Sequence, residues 1–161
     1  MISKKICLLG ASAVGKTSLT RRFVEGEFSD RYLTTIGVKI VKKELTVDGI
    51  ETRLILWDVS GEDDYAELRM SYLRGSSGYL LVADPTRKET MTKALDLDQR
   101  VLEALGDTPR LLLMNKVDLR EDWRIEAPEA MRGRVIETSA KTGAGVEDAF
   151  GRLAQEILQG A

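Results

Sequence analysis

Residues 10–17 read Gly10-Ala11-Ser12-Ala13-Val14-Gly15-Lys16-Thr17, directly after the apolar run Ile6 to Leu9. This order fits the pattern G-x-x-x-x-G-K-[ST], which predicts a strand, a phosphate-binding loop and the start of a helix. The backbone N–H groups of such a loop point at phosphates, and the positive end of the helix adds to the attraction. The stretch therefore predicts a site for a nucleoside triphosphate, and the rest of the chain has to indicate the base and the reaction.

This loop supplies most of the predicted phosphate contacts. Lys16 is expected to reach the β and γ oxygens and to act in catalysis, and the Thr17 hydroxyl is expected to ligate Mg²⁺. The residues assigned to the nucleotide here are Ser12, Ala13, Val14, Gly15, Lys16, Thr17 and Ser18.

A second phosphate element, Asp58-Val59-Ser60-Gly61, follows the predicted strand Arg53 to Trp57. A carboxylate at the carboxyl end of a strand lies beside the phosphate loop in an open α/β sheet. We therefore expect Asp58 to hold Mg²⁺ through water, and the N–H of Gly61 to contact the γ-phosphate.

The base is indicated by the stretch Asn115-Lys116-Val117-Asp118, which follows the predicted strand Arg110 to Met114. A buried Asp118 carboxylate would accept hydrogen bonds from N1–H and N2–H₂ of guanine, whereas adenine has an acceptor at N1 and no 2-amino group. Lys116 is expected to lie along the base, and Asn115 is expected to tie this loop to the phosphate loop. These contacts predict selection of guanine over adenine.

A further loop, Ser139-Ala140-Lys141, follows the predicted strand that begins at Arg134. We expect it to form the remaining wall of the base pocket, with the N–H of Ala140 donating to guanine O6. All four elements follow strands, and the carboxyl ends of parallel strands meet at one edge of a sheet. The sequence therefore predicts one site that binds a guanine nucleotide.

Short apolar runs alternate along the chain with segments of helical period, which is typical of strand-helix units around a mostly parallel sheet. Buried strands are predicted at Ile6 to Leu9, Gly78 to Ala83, Arg110 to Met114 and Arg134 to Ile136. The turn signal Asp48-Gly49 lies between the runs 38–47 and 51–58 and predicts an antiparallel hairpin at one edge of the sheet.

Two helices follow from apolar residues at helical spacing, Thr90 to Leu105 and Val146 to Leu158. Thr86 and Glu89 fit a capping box before the first of these helices, and Gly106 fits its end. The sequence therefore predicts helices against a sheet within one domain, residues 1–161.

The composition excludes several classes of function. The chain has no histidine and one cysteine, Cys7, so His-based catalysis, Cys₄ zinc sites and an internal disulfide are excluded. A net charge of −2 without basic clusters argues against nucleic acid as a partner. No apolar run has the roughly 20 residues of a membrane span, and no signal peptide is recognisable, so we expect a cytoplasmic protein.

The four site elements resemble those of the Ras superfamily over nearly the whole chain. Further stretches, Thr35-Ile36-Gly37-Val38, Trp57-Asp58, Tyr72-Leu73-Arg74-Gly75 and Leu81-Val82-Ala83-Asp84, are most similar to its Rab branch. The resemblance implies an α/β P-loop small G domain, a six-stranded sheet with five parallel strands and helices on both faces. It also implies a switch that slowly hydrolyses GTP to GDP and phosphate with Mg²⁺, changing two loops near residues 28–38 and 59–73.

The same resemblance assigns roles to two further residues. It gives Thr35 to Mg²⁺ and the attacking water, so that Thr35 and Gly61 join the catalytic set, and it gives Phe28 an edge-on contact with the base. Relatives usually have glutamine directly after the glycine, whereas this chain has Glu62. Glu62 is therefore a candidate for positioning water or acting as a base. The alternative is a module that binds GTP as a structural ligand and scarcely hydrolyses it.

Protein effectors and regulators are the partners that the resemblance implies, since Ile40, Trp57 and Tyr72 match the apolar triad of Rab relatives. The alternative is that all three are ordinary core residues. The segment Leu119 to Val135 is shorter than usual, so one surface helix is expected to be reduced to a turn. The chain ends at Gly160-Ala161 without C-terminal cysteines for prenyl groups, so a direct lipid anchor is not expected. We also expect a monomer.

Overall fold

The structure, a computed structural model, describes residues 1–24, 32–33, 38–59 and 70–160, with only the backbone described at 32, 33 and 70. Seven strands in this part of the chain form one sheet in the order β2-β3-β4-β1-β5-β6-β7. They are β1 (Ile2–Gly10), β2 (Tyr32–Leu33), β3 (Lys39–Val47), β4 (Ile50–Asp58), β5 (Gly78–Ala83), β6 (Arg110–Met114) and β7 (Val135–Glu137).

The sheet is mostly parallel, as predicted. β1 pairs in parallel with β4 and β5, and β6 pairs in parallel with β5 and β7, which gives five parallel strands. β3 is antiparallel to β4 and completes the six predicted strands, and the two-residue β2 adds a short antiparallel pairing outside β3. The predicted fold class is therefore confirmed.

Three helices within the described ranges cover the sheet, α1 (Lys16–Phe23), α2 (Lys88–Leu105) and α3 (Val146–Gln159), with short 3₁₀ turns at Met70–Leu73, Val117–Asp122 and Glu129–Met131. One core cluster joins α1 and α3 to the sheet, where the rings of Phe23 and Phe150 stack with centroids 4.1 Å apart. A second cluster joins α2 to the sheet. None of the helices among the described residues has the length and apolar character needed to cross a bilayer.

The predicted hairpin is confirmed. Asp48 and Gly49 connect β3 to β4 with φ values of +50° and +80°, and Val47 pairs with Ile50 across the turn. Two consecutive residues with positive φ are required by the tight hairpin turn whose twist matches that of the strands.

The boundaries of the first strand and the long helix differ from the prediction. β1 begins at Ile2 because it pairs with β4 from Ile2 onward, and this pairing is not visible in the local apolar run. The predicted capping box is wrong: α2 begins at Lys88, and the Thr86 hydroxyl donates to Asp84 Oδ1 at 2.6 Å instead of capping the helix. The predicted end at Gly106, which has φ +76°, is confirmed.

The segment Leu119 to Val135 contains no α-helix, as its short length predicted. Two 3₁₀ turns and irregular chain replace it. The Trp123 indole N–H donates to the Lys116 carbonyl at 3.0 Å, so the shortened segment is fastened to the loop that follows β6.

The one cysteine lies in the core. Cys7 is 0% exposed, and its Sγ lies 3.3 Å from Ser76 Oγ and 3.6 Å from the Tyr72 carbonyl oxygen. Burial raises the pKa of the Cys7 thiol, although the hydrogen bond between Cys7 and Ser76 and the charge of Lys5 both lower it. The thiol is therefore protonated and packed as a small apolar group.

A buried polar network under α2 leads to a stability prediction. The Tyr79 hydroxyl donates to Asp98 Oδ1 at 2.7 Å, and Arg110 Nε lies 2.7 Å from the same oxygen. Tyr79→Phe leaves the buried carboxylate without one donor, so we expect a loss of about 1.5–3 kcal/mol in the free energy of unfolding. Urea unfolding under constant excess GDP measures this loss.

Tyr72→Phe is the matched control for that measurement. The Tyr72 hydroxyl is buried and has no hydrogen-bond partner among the described residues, so its removal should change stability little. Equal losses in the two variants would contradict a stabilising role for the bond to Asp98.

Candidate nucleotide-binding site

The phosphate loop connects β1, which ends at Gly10, to α1, which begins at Lys16. A Cβ at Gly10 would lie 2.4 Å from the Val82 carbonyl oxygen, so this position needs glycine for the close approach of β5. Gly15 has φ +109°, and a Cβ there would lie 2.3 Å from Asn115 Nδ2. The two glycines of the motif are thus required by the conformation and by close packing.

Lys16 is buried at the centre of this loop, with 4% of its surface exposed. Its ammonium donates to the Gly10 carbonyl and lies 3.3 Å from the Ala11 carbonyl oxygen. The cation therefore lies inside the curve of the loop, where the sequence analysis expected a phosphate-binding lysine.

Thr17 and Asp58 come together although they are 41 residues apart in the sequence. The Thr17 hydroxyl donates to Asp58 Oδ2 at 2.6 Å, and Asp58 is 1% exposed at the carboxyl end of β4. A hydroxyl and a carboxylate side by side are oxygen donors of the kind that Mg²⁺ prefers. The predicted metal residues that the structure describes therefore fit that ion.

Asn115 joins three loops. Its Nδ2 donates to the Val14 carbonyl at 2.8 Å, and its Oδ1 accepts a hydrogen bond from the Thr138 hydroxyl at 3.0 Å. Asn115 is 2% exposed, so both bonds are shielded from water. The loop after β6 is therefore tied to the phosphate loop on one side and to the end of β7 on the other.

Lys116 is held above the phosphate loop by a residue that the sequence analysis did not assign to the site. Its backbone is left-handed, with φ +69°, and its Nζ lies 2.7 Å from Asp84 Oδ2 and 3.4 Å from the Ala13 carbonyl oxygen. Burial raises the pKa of Asp84, but hydrogen bonds from Lys116 and Thr86 and the charge of Lys116 outweigh it, and the pKa falls below its ordinary value. Asp84 is therefore a buried anion, 1% exposed, behind the loop.

Asp118 is exposed, not buried as the sequence analysis expected, because it lies at the surface in the 3₁₀ turn Val117–Asp122. The hydroxyl of Ser139, which is fully buried, donates to Asp118 Oδ1 at 2.7 Å. Ser139 Oγ also accepts the N–H of Thr142 at 3.1 Å. Ser139 thus orients the carboxylate that was predicted to recognise guanine.

The loop at Ala140 and Lys141 is held by a residue of α1 that sequence reasoning missed. The guanidinium of Arg22 donates to the Ala140 carbonyl at 3.1 Å and to the Lys141 carbonyl at 2.5 Å. No local pattern pairs Arg22 with residues about 120 positions later, so only the folded chain reveals this contact.

Comparison with known proteins agrees with this geometry. The model of the Ras family matches residues 5–159. The chain belongs to the Ras family. Similar proteins include Ras-related protein Rab-18 from Lymnaea stagnalis, 38% identical over 96% of this chain and 80% of the relative. Ras-related protein Rab-13 from Canis lupus familiaris is 34% identical over 96% of this chain and 79% of the relative. Ras-related protein Rab-18-B from Danio rerio is 36% identical with the same coverage as Rab-13.

The chain is therefore a Rab-like small GTPase of the Ras superfamily that binds guanine nucleotide, as the resemblance predicted. Four predicted site residues of this GTPase, Phe28, Thr35, Gly61 and Glu62, lie outside the described residues, as do most of the predicted switch loops. Their roles stay predictions.

The apolar triad expected for a Rab-like protein is only partly exposed. Ile40 and Trp57 pair across β3 and β4 and are half-buried, and the Lys5 ammonium lies 3.7 Å from the centre of the Trp57 ring. Tyr72 is 3% exposed and packs in the core. Of the three residues, only Ile40 and Trp57 are therefore accessible to a partner at the surface.

Proposed function

We propose that this GTPase is a Mg²⁺-dependent switch that slowly hydrolyses GTP to GDP and phosphate in the cytoplasm. The observation that carries the proposal is the 2.8 Å hydrogen bond from Asn115 to the Val14 carbonyl. It joins the loop that bears Asp118 to the loop that bears Lys16, so that base and phosphates bind to one connected unit. A single cysteine, buried and unpaired, agrees with a reducing compartment.

Guanine is recognised in this proposal by Asp118, Ala140 and Lys116. The Asp118 carboxylate, oriented by Ser139, accepts N1–H and N2–H₂, and the N–H of Ala140 donates to O6. The aliphatic stem of Lys116 lies along the base while its ammonium stays paired with Asp84. Adenine would leave the carboxylate facing a lone pair, a mismatch that costs free energy because both groups would lose their hydrogen bonds to water.

Mg²⁺ would be held by Thr17 directly and by Asp58 through water, with Thr35 as a further ligand when GTP is bound. When bound there, the ion would neutralise negative charge on the phosphates. Lys16, Thr35 and Gly61 then place the γ-phosphate and the attacking water. The loops containing Thr35 and Gly61 change conformation when the γ-phosphate leaves, and partners that bind Ile40 and Trp57 together with these loops lose their binding surface.

Glu62 makes hydrolysis slow. A carboxylate about 4 Å from one phosphate charge meets roughly 4 kcal/mol of repulsion at an effective dielectric near 20. In this proposal the same repulsion opposes ionisation of Glu62, so the side chain can accept a proton from water or orient it only once it has ionised.

Single-turnover hydrolysis of GTP by the wild type and Glu62→Gln, measured over a pH series, tests the proposal. We expect the wild-type rate to rise with pH until Glu62 is fully ionised and the Glu62→Gln rate to stay flat, because an amide does not titrate. The neighbouring Asp63→Asn is the matched control and should keep the wild-type profile. Identical profiles for wild type and Glu62→Gln would remove Glu62 from the mechanism.

The second candidate function is a GTP-binding module with little hydrolysis, which the replacement of glutamine by Glu62 favours. In that case GTP bound with Mg²⁺ would persist unhydrolysed over many hours. If the protein with one equivalent of bound GTP forms measurable GDP and phosphate, this second function is excluded.

A further inference from the structure

Three consecutive carbonyls of the phosphate loop accept hydrogen bonds from outside the loop. The Arg87 guanidinium donates to Ser12 O at 2.8 Å, the Lys116 ammonium to Ala13 O at 3.4 Å and the Asn115 amide to Val14 O at 2.8 Å. Arg87 lies at the start of α2, far from Lys116 and Asn115 in the sequence. Lys116 and Asn115 are predicted site residues, whereas Arg87 has no predicted role.

The middle of these three positions is strained. Ala13 has φ +61°, a left-handed conformation that side chains with a Cβ disfavour and that persists only where the surroundings impose it. The torsions of one residue are set by the orientation of the peptide groups on either side of it. Arg87 holds the carbonyl of the peptide before Ala13, and Lys116 holds the carbonyl of the peptide after it.

A single buried carboxylate links the two cations. Asp84 Oδ2 lies 3.3 Å from Arg87 Nε and 2.7 Å from Lys116 Nζ. Its other oxygen accepts the N–H of Thr86 at 3.0 Å and the Thr86 hydroxyl at 2.6 Å. With four donors around it and 1% of its surface exposed, Asp84 has a fixed position from which it orients both cations.

The direction of these bonds matters for phosphate binding. In a trans peptide the C=O and N–H point in opposite directions, so a carbonyl held on the outer side turns the N–H of the next residue to the inner side. A carbonyl that accepts a hydrogen bond from a cation also makes the N–H of the same peptide a stronger donor. The peptides held by Arg87 and Lys116 carry the N–H groups of Ala13 and Val14.

We propose that Arg87 is a positioning residue for nucleotide binding: with Asp84 and Lys116 it holds Ala13 in its left-handed conformation, so that the amides of the loop face the phosphates. The proposal rests on the nucleotide binding assumed in the proposed function and not on hydrolysis. Arg87 acts through the backbone of the loop and carries no assigned contact with the nucleotide.

The test is the dissociation rate of a fluorescent GDP, displaced by excess unlabelled GDP in the presence of Mg²⁺. Arg87→Ala should dissociate roughly tenfold faster, as expected for the loss of one charge-assisted hydrogen bond. Arg132→Ala is the matched control, because Arg132 also pairs with a carboxylate three residues earlier at 3.3 Å. In the part of the chain that the structure describes, Arg132 makes no contact with the phosphate loop, so its variant should keep the wild-type rate.

Glycine at position 13 separates positioning from a general effect on the fold. Glycine adopts positive φ without strain, so Ala13→Gly needs the outer bonds less. Adding Arg87→Ala to Ala13→Gly should therefore accelerate dissociation by clearly less than the roughly tenfold expected in the wild-type background. Thermal unfolding of each variant confirms that the compared proteins are folded.

Two outcomes would overturn the proposal. The first is an Arg87→Ala variant that releases GDP at the wild-type rate while the wild type binds GDP tightly. This outcome would overturn the role of Arg87 and leave the proposed function intact. An equal acceleration in the wild-type and Ala13→Gly backgrounds would show that Arg87 does not act on the conformation of residue 13. Failure of the wild type to bind GDP would overturn the proposed function together with this proposal.

Discussion

Gly15→Ala is expected to lower the affinity for GDP and GTP by roughly 10- to 2,000-fold. The backbone at φ +109° excludes a side chain, and the added Cβ would lie 2.3 Å from Asn115 Nδ2, the atom that binds the Val14 carbonyl. Backbone strain of about 1–3 kcal/mol and loss of this hydrogen bond, about 0.5–1.5 kcal/mol, together give that range at 1.36 kcal/mol per decade. Titration calorimetry with GDP and Mg²⁺ measures the loss.

Gly133→Ala is the matched control for Gly15→Ala. Gly133 also has positive φ, +81°, but a Cβ there meets no atom within 4 Å. This variant should lose some stability from backbone strain and keep its affinity for GDP. Wild-type affinity in Gly15→Ala would contradict the view that the bond between the two loops maintains the site.

Asp118→Asn is expected to change the preferred base from guanine to xanthine. The amide keeps one acceptor but presents a donor where the carboxylate accepted the second N–H of guanine. Hydrogen bonds to charged groups contribute about 1.5–3 kcal/mol each, so the affinity for GDP should fall by roughly 10- to 150-fold for each bond lost. Xanthosine diphosphate has a carbonyl in place of the 2-amino group and should bind this variant better than GDP does.

The control for Asp118→Asn lies in the same 3₁₀ turn. Asp122 is also exposed, and Asp122→Asn removes the same charge four residues away. It should leave the affinities for GDP and for xanthosine diphosphate unchanged. An equal loss of GDP and xanthosine diphosphate affinity in Asp118→Asn would contradict base reading by Asp118 and would indicate a collapsed loop.

The parts of the fold that local patterns specify were predictable. The hairpin depends on Asp48 and Gly49, whose positive φ values follow from the tight turn, and α3 follows from apolar residues at helical spacing. The phosphate loop was recognisable because its two glycines, its lysine and its threonine stand at a fixed spacing within residues 10–17. These features are encoded within about 15 neighbouring residues.

The supports of the site were not predictable in the same way. β5 lies directly beside β1 in the sheet, and this places Asp84, just after β5, behind the phosphate loop. Arg22 meets Ala140 only because α1 and α3 pack on the same face. Such contacts follow from strand order and helix packing, which no short stretch of sequence contains.

The capping box failed for a related reason. The spacing of Thr86 and Glu89 predicted that the Thr86 hydroxyl caps the following helix. The buried carboxylate of Asp84, two residues before Thr86, needs hydrogen-bond donors, and the hydroxyl donates to it instead. A hydrogen bond to a buried charge stabilises the fold more than a hydrogen bond that caps one helix end, so the hydroxyl binds Asp84. A rule that considers the helix alone does not include this competition.

Burial of the one native sulfhydryl has a practical consequence. Cys7 is 0% exposed and its thiol has a raised pKa, so maleimides and other alkylating reagents should find no reactive thiolate on the folded protein. A cysteine introduced at an exposed position such as Arg132 would then be the single point of attachment for a dye or spin label. Conformational changes of this GTPase can thus be followed spectroscopically without first removing the native cysteine.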